Sequence, residues 1–234
     1  MDGKVRLNHQ KAGSYLKDAV YGANDGIVTT FAVVAGVAGA SLDPVVIILL
    51  GLANLLADGF SMAASSFLAS SSERDVFNRE REVERWEVAN EPAGEESEMR
   101  GILAEKGYAD EDLDKLTSLI IKNKKFWIDL MMKEELGFGV VESARPFKAA
   151  FITFLSFVIA GFVPLVPFFF VSSLENIFLF SALASGALFF VIGAMRTIFT
   201  RKAWHWSGLE MFFVGGLAAA IAYAVGFLIK ALIS

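Results

Sequence analysis

Apolar residues along this chain gather into five blocks separated by polar stretches of unequal length. The blocks fall at roughly 20–40, 45–69, 148–171, 177–196 and 208–232. At about 1.5 Å of rise per residue, each is long enough to cross a hydrocarbon core of about 30 Å. Between the second and third blocks, residues 73–148 carry most of the charge. The pattern predicts an all-α, polytopic membrane protein with five transmembrane helices and a three- to four-helix insert between spans 2 and 3. The expected divisions are 1–72 for the N-terminal segment with spans 1 and 2, 73–146 for the insert, and 147–234 for spans 3–5.

Within the insert, span 2 is expected to run on past Ser70 into Glu73–Val88, until Pro92 and Gly94 interrupt it. A second helix should begin near Glu95 and end before Gly107. Asp110 can cap a third over Glu111–Ile121, and Phe126–Leu136 forms a last one closed by Gly137. In span 3, Pro164 and Pro167 remove backbone donors, which predicts a bend or an end to that helix.

Charge then orients the chain. The connectors Ser41–Pro44 and Ser172–Asn176 hold no Lys or Arg, whereas Met1–Asp18, residues 73–148 and Arg196–Lys202 hold every basic residue except Lys230. The positive-inside rule places the N-terminus and the insert in the cytoplasm, and five spans then put the C-terminus outside. Met1–Asp18 has no apolar core of the kind a signal peptide carries, so no cleavage is expected.

Composition narrows the chemistry. Hydrophobic residues make up 55% of the chain, so lipid must solvate much of it. A net charge of -5, with no basic cluster interleaved with aromatics, leaves nucleic-acid binding without support. Cysteine is absent and the histidines are His9 and His205, which excludes disulfides, thiolate zinc sites and multi-histidine metal sites. A bound metal must be held by oxygen and thioether.

Two aspartates stand inside apolar spans. Asp25 and Asp58 each oppose insertion by about 2.5–3.5 kcal/mol at a helix centre, so something must compensate them. In antiparallel spans 1 and 2, Asp25, Asp58 and Met62 fall at similar depth, and Asn54, Asp58 and Met62 stack at four-residue spacing on one face. That stripe of amide, carboxylate and thioether fits an ion path. The bland alternative is that the aspartates hydrogen-bond between helices and Met62 packs. Asp25, Thr29, Ala32, Gly36 and Gly39 make one side of span 1 small, and Gly215, Ala219, Ala222 and Gly226 repeat the device in span 5. Such stripes serve packing as readily as a pore or a dimer contact. In the insert, Glu84 with Glu87, Glu95 with Glu98, and Met131, Met132 with Glu135 lie within a turn of one another on three helices, so each set can converge. Carboxylates with thioethers favour Fe²⁺ or a later transition metal over Mg²⁺ or Ca²⁺. Taken alone, a run of glutamates is more often a solvated helix face.

Four segments together carry a resemblance: YGANDGIVTTFAVVAGVAGAS in span 1, GLANLLADGFSMAASSFLASSSERD in span 2, MMKEELG at the end of the insert and PLVP in span 3. Over nearly its full length the chain resembles the vacuolar iron transporter family. The resemblance implies a five-span protomer that forms a homodimer, with a translocation path between subunits lined by spans 1 and 2, and a cytoplasmic metal-binding domain. The implied activity is Fe²⁺/H⁺ antiport exporting iron from the cytosol, by a secondary transporter rather than an enzyme. Asp25 and Met62 match the family's pore acid and pore methionine, and Glu84, Glu87, Glu95, Glu98, Met131, Met132 and Glu135 match its cytoplasmic ligands. Where plant-type members have a pore glutamate in span 2 this chain has Asn54, with Asp58 one turn on. Asn54 offers a carbonyl oxygen but exchanges no proton. Thr30 stands where proline is frequent.

The expected partners are therefore divalent metal ions, Fe²⁺ foremost and Mn²⁺ next, together with protons, the lipid bilayer and a second copy of the chain. No prosthetic group is expected. The insert lacks the Glu-x-x-His motifs of ferritin-like di-iron proteins, so an iron oxidase has little support. A membrane-anchored metal buffer or sensor is the competing class, against which the buried aspartates argue. A prokaryotic cell membrane is the first expectation for location and a vacuolar membrane the second.

Overall fold

A computed structural model of the protein describes residues 2–138, 145–170, 174–200 and 202–233. Residue 171, where span 3 was expected to end, and residues 172–173 of the following connector lie outside that set. The described residues are helical apart from turns and connectors, and contain no strand. They form α1 (Asp2–Gly39), α2 (Pro44–Asn90), α3 (Pro92–Glu105), α4 (Asp110–Ile121), α5 (Lys124–Glu134) and α6 (Pro146–Phe162). After a 3-10 turn (Val163–Leu165) come α7 (Pro167–Phe170), α8 (Leu174–Met195), α9 (Thr197–Thr200) and α10 (Trp204–Ile233). Five helices are long and apolar enough to cross a membrane. The protein is thus an all-α polytopic membrane protein.

Two compact units divide the chain, residues 1–68 with 145–234, and residues 69–144. In the first, α1 is the central helix and packs on α6, α8 and α10. Glycine makes these approaches possible. A Cβ at Gly26 would stand 2.2 Å from the Phe157 carbonyl oxygen of α6, and one at Gly226 of α10 would stand 2.0 Å from that of Gly36. The small stripe of span 1 is therefore used inside the chain at Gly36 and Gly39, against Ala222, Tyr223 and Gly226. Asp25, Thr29 and Ala32 remain half-buried. Around these crossings Ile27, Phe31, Val34, Leu55, Phe157, Leu165 and Phe189 form a contiguous core.

Span 3 ends as its prolines predict: the α-helix stops at Phe162 and tightens into the 3-10 turn containing Pro164. The Ser181 hydroxyl of α8 donates to the Pro164 carbonyl at 2.7 Å, clasping the turn to α8. Helix α1 begins at Asp2, well before the apolar block it was read from.

In the second unit, α3, α4, α5 and the distal part of α2 enclose Val88, Met99, Leu103, Ile120, Trp127, Ile128, Met131 and Met132. Helix α3 opens at Pro92 rather than near Glu95, because proline at the first helical position loses no bond the helix needs. Asp110 is not the cap expected of it. Ala109 occupies that position, no side-chain cap bond forms, and Asp110 itself takes a positive φ of 49°. Asn123 caps α5 instead, accepting from the Phe126 N–H at 3.2 Å. Gly137, at φ 70°, closes the C-terminal end, letting the Phe138 N–H reach the Met132 carbonyl at 3.0 Å. Ion pairs Arg81–Asp129, Arg100–Asp114 and Lys106–Glu134 tie the helices of this unit together.

Candidate functional site

In the membrane unit the predicted stripe forms. Asn54, Asp58 and Met62 share one half-buried face of α2, where the Asn54 amide donates to the Asp58 carboxylate at 3.5 Å. Asp25 of α1 is half-buried and within reach of the Asp58 charge. Thr29 donates from its hydroxyl to the Asp25 backbone carbonyl at 2.9 Å. Met62 is half-buried and packs against the apolar core. Beside them, Asn24 Oδ1 and Thr30 Oγ1 are buried without a hydrogen-bond partner. The sequence reading passed over Asn24, although an amide next to Asp25 in an apolar span was a signal.

In the insert, Glu84 of α2 and Glu95 of α3 are 2% and 6% exposed, against the ordinary rule that glutamates stay in water. Glu84 Oε1 and Glu95 Oε2 have no hydrogen-bond partner. Burial, then the charge and carboxyl contact of Glu95, then the charges of Glu135 and Glu87, push the Glu84 carboxyl up to about 8. Burial first, then the charges of Glu98, Glu87 and Glu135, raises Glu95 as well. The two carboxyls face each other closely enough to share a proton. Glu135, at the exposed end of α5, is also raised, by partial burial and by Glu98 and Glu87. Its neighbour Glu134 is held down to about 2 by Lys106 and Lys133. The fields of Glu87 and Glu135 reach both Glu84 and Glu95, and that of Glu98 reaches Glu95 and Glu135.

They do not form a closed ligand set. Among the described residues no three Asp, Glu or His side chains are grouped as metal ligands. Met131 and Met132 lie in the apolar core of the insert, 0% and 2% exposed. Met99 lies in the same cluster at 0%, one turn beyond Glu95 on α3. Its four-residue spacing from Glu95 is visible in the sequence. Chemically, two buried carboxyls with unpartnered oxygens, one carrying a displaceable proton, favour a cation that takes the proton's place.

Comparison with known proteins identifies the family. A model of the VIT family matches residues 16–227. The vacuolar iron transporter of Toxoplasma gondii is 34% identical over 241 aligned residues, covering 98% of this chain and 80% of its own length. That of Plasmodium falciparum is 33% identical, with 95% and 85% covered. Vacuolar iron transporter 1 of Arabidopsis thaliana is 30% identical, with 93% and 87% covered. With a five-span membrane fold, a match over most of its length and relatives at this identity, the chain belongs to the VIT family.

Proposed function

We propose that this protein exports a divalent transition metal, Fe²⁺ foremost and Mn²⁺ next, from the cytosol in exchange for protons. The observation that carries the reading is the buried Glu84–Glu95 pair, whose unpartnered oxygens and retained proton suit a cation taken up against H⁺. Glu87, Glu98 and Glu135 complete the capture site as the cation neutralises them, and Met131 and Met132 bias it toward softer ions. The ion then passes Asp25, Asn54, Asp58 and Met62, with Asp25 and Asp58 exchanging protons and Asn54 offering only its carbonyl. A second copy of the chain covers this stripe. Without one, Asp25 and Asp58 would confront lipid at about 2.5–3.5 kcal/mol each. The N-terminus and insert face the cytosol, as the distribution of Lys and Arg supports. Relatives named as vacuolar iron transporters support the choice of cargo.

Reconstitution in liposomes tests it. Fe²⁺ movement should follow an imposed pH gradient and be lost in Asp25→Ala. Equal transport with and without the gradient removes antiport. Tight metal binding with no transport under either condition leaves a membrane-anchored buffer instead.

A further inference from the structure

A crevice of about 300 Å³ lies between α1, α6 and α8, within the membrane unit and away from the polar stripe. Ala19 and Ala23 form its floor, with Ser156 and Val163 along one wall and Leu188 and Met195 along the other. From Ser156 to Val163, and from Leu188 to Met195, is about 10 Å of helix. That is two-thirds of the roughly 15 Å of hydrocarbon in one leaflet. One end lies at the 3-10 turn, where the Ser181–Pro164 bond clasps span 3 to α8. Ser156 is the only polar side chain among its described lining residues. A buried water needs two to four polar partners, so this void is suited to hydrocarbon and not to water or an ion.

The residues that follow Met195 in the chain point to the kind of hydrocarbon. Met195 is followed at once by Arg196, and Arg196 Nη1 and Lys202 Nζ stand 4.0 and 3.7 Å from Glu210 Oε2, gathering two cations about one carboxylate. Trp204 and Trp206 are 59% and 67% exposed beside them, and the Trp204 ring meets Phe190 of α8 edge-on at 5.9 Å between centroids. Exposed tryptophans mark headgroup level, and basic residues between helices at that level attract anionic headgroups. We propose that this crevice is a phospholipid site, holding one acyl chain of an anionic phospholipid whose phosphate lies beside Arg196 and Lys202. The proposal is independent of the cargo and of the transport mechanism.

The test uses the full-length protein, purified in mild detergent and exchanged extensively, with retained phospholipid measured by native mass spectrometry. The wild type should keep a stoichiometric phospholipid, phosphatidylglycerol in preference to phosphatidylcholine when both are supplied. Ser156→Phe, which fills the crevice, should drop to the background set by detergent exchange. Ala220→Phe, an equal enlargement at an exposed position of α10, should keep it. Lys202→Gln should retain the lipid while losing the preference for phosphatidylglycerol. Equal retention by Ser156→Phe and the wild type overturns the proposal. Should Ser156→Phe fail to fold, the wild type decides in membranes doped with a phosphatidylglycerol carrying a photoactivatable acyl chain. Adducts concentrated at residues 19–23, 156–163 and 188–195 sustain the site, and adducts spread evenly over the exposed face of α10 remove it.

Discussion

The two carboxylate constellations of this molecule are built on opposite principles. In the membrane unit, Asp58 is half-buried and takes an amide hydrogen from Asn54, and Asp25 is half-buried one helix away. In the insert, Glu84 and Glu95 are almost fully enclosed, and each leaves an oxygen without a partner. The first arrangement lowers the cost of a charge by surrounding it with weak, replaceable contacts. The second meets the cost by holding a proton, which an arriving cation can displace. A path that an ion must leave quickly calls for the former, and a site that must collect a scarce ion calls for the latter.

The largest expected effect separates the two. Asp25→Ala should lower proton-driven Fe²⁺ flux in liposomes by about 100-fold or more, about 2.7 kcal/mol, with metal binding by the insert unchanged. Loss of both together would make the constellations one site and break the contrast. Next, Glu84→Gln should weaken metal binding to the full-length protein by about tenfold to a hundredfold in calorimetric titration, about 1.4–2.8 kcal/mol.

The pH dependence follows from the raised Glu84 carboxyl. Its folded value of about 8 exceeds the ordinary 4.5, so the metal-free folded state binds more protons than the unfolded chain between those values. Its contribution to stability is present below the ordinary value and lost as pH rises through about 8. Thermal unfolding of the insert, followed by Trp127 fluorescence, should therefore occur at lower temperature at pH 8 than at pH 5. Metal should reverse the trend, binding more tightly as pH rises and levelling off above about 8. The smallest effect belongs to Met131→Leu, a volume-conserving change in the core that should cost less than about 1.5 kcal/mol of stability. It should shift preference modestly from Co²⁺ and Zn²⁺ toward Mn²⁺ in competition binding, and no shift would make Met131 a packing residue alone.

Much of the fold was legible because lipid enforces a simple code: five apolar blocks gave five long helices, and Pro164 ended the third near where ring geometry required. The reading failed where hydropathy carries no signal. The polar start of α1 at Asp2 is helical without being apolar. Asp110 had the chemistry of a cap but lies one residue inside the helix with no bond made. At the sites, spacing placed the glutamates on the right helices but held no information on enclosure. Nothing in the pattern distinguishes buried Glu84 from exposed Glu98, since enclosure depends on how α2 and α3 meet. The same holds for the glycines of α1, whose stripe was visible while its partner was not.

Those glycines have a mechanical consequence. Where Gly36 faces Gly226 and Gly26 faces Phe157, backbone meets backbone with no side chain to act as a cushion, so sliding or turning α1 would drive main-chain atoms into one another. The trio of α1, α6 and α10 is in that sense a stator. On α2, by contrast, Leu49, Leu56 and Phe60 are exposed. If the membrane unit transports as proposed, the exposed side of α2 is where movement against this fixed trio is expected, with Asp58 as the moving charge and Asp25 as the fixed one.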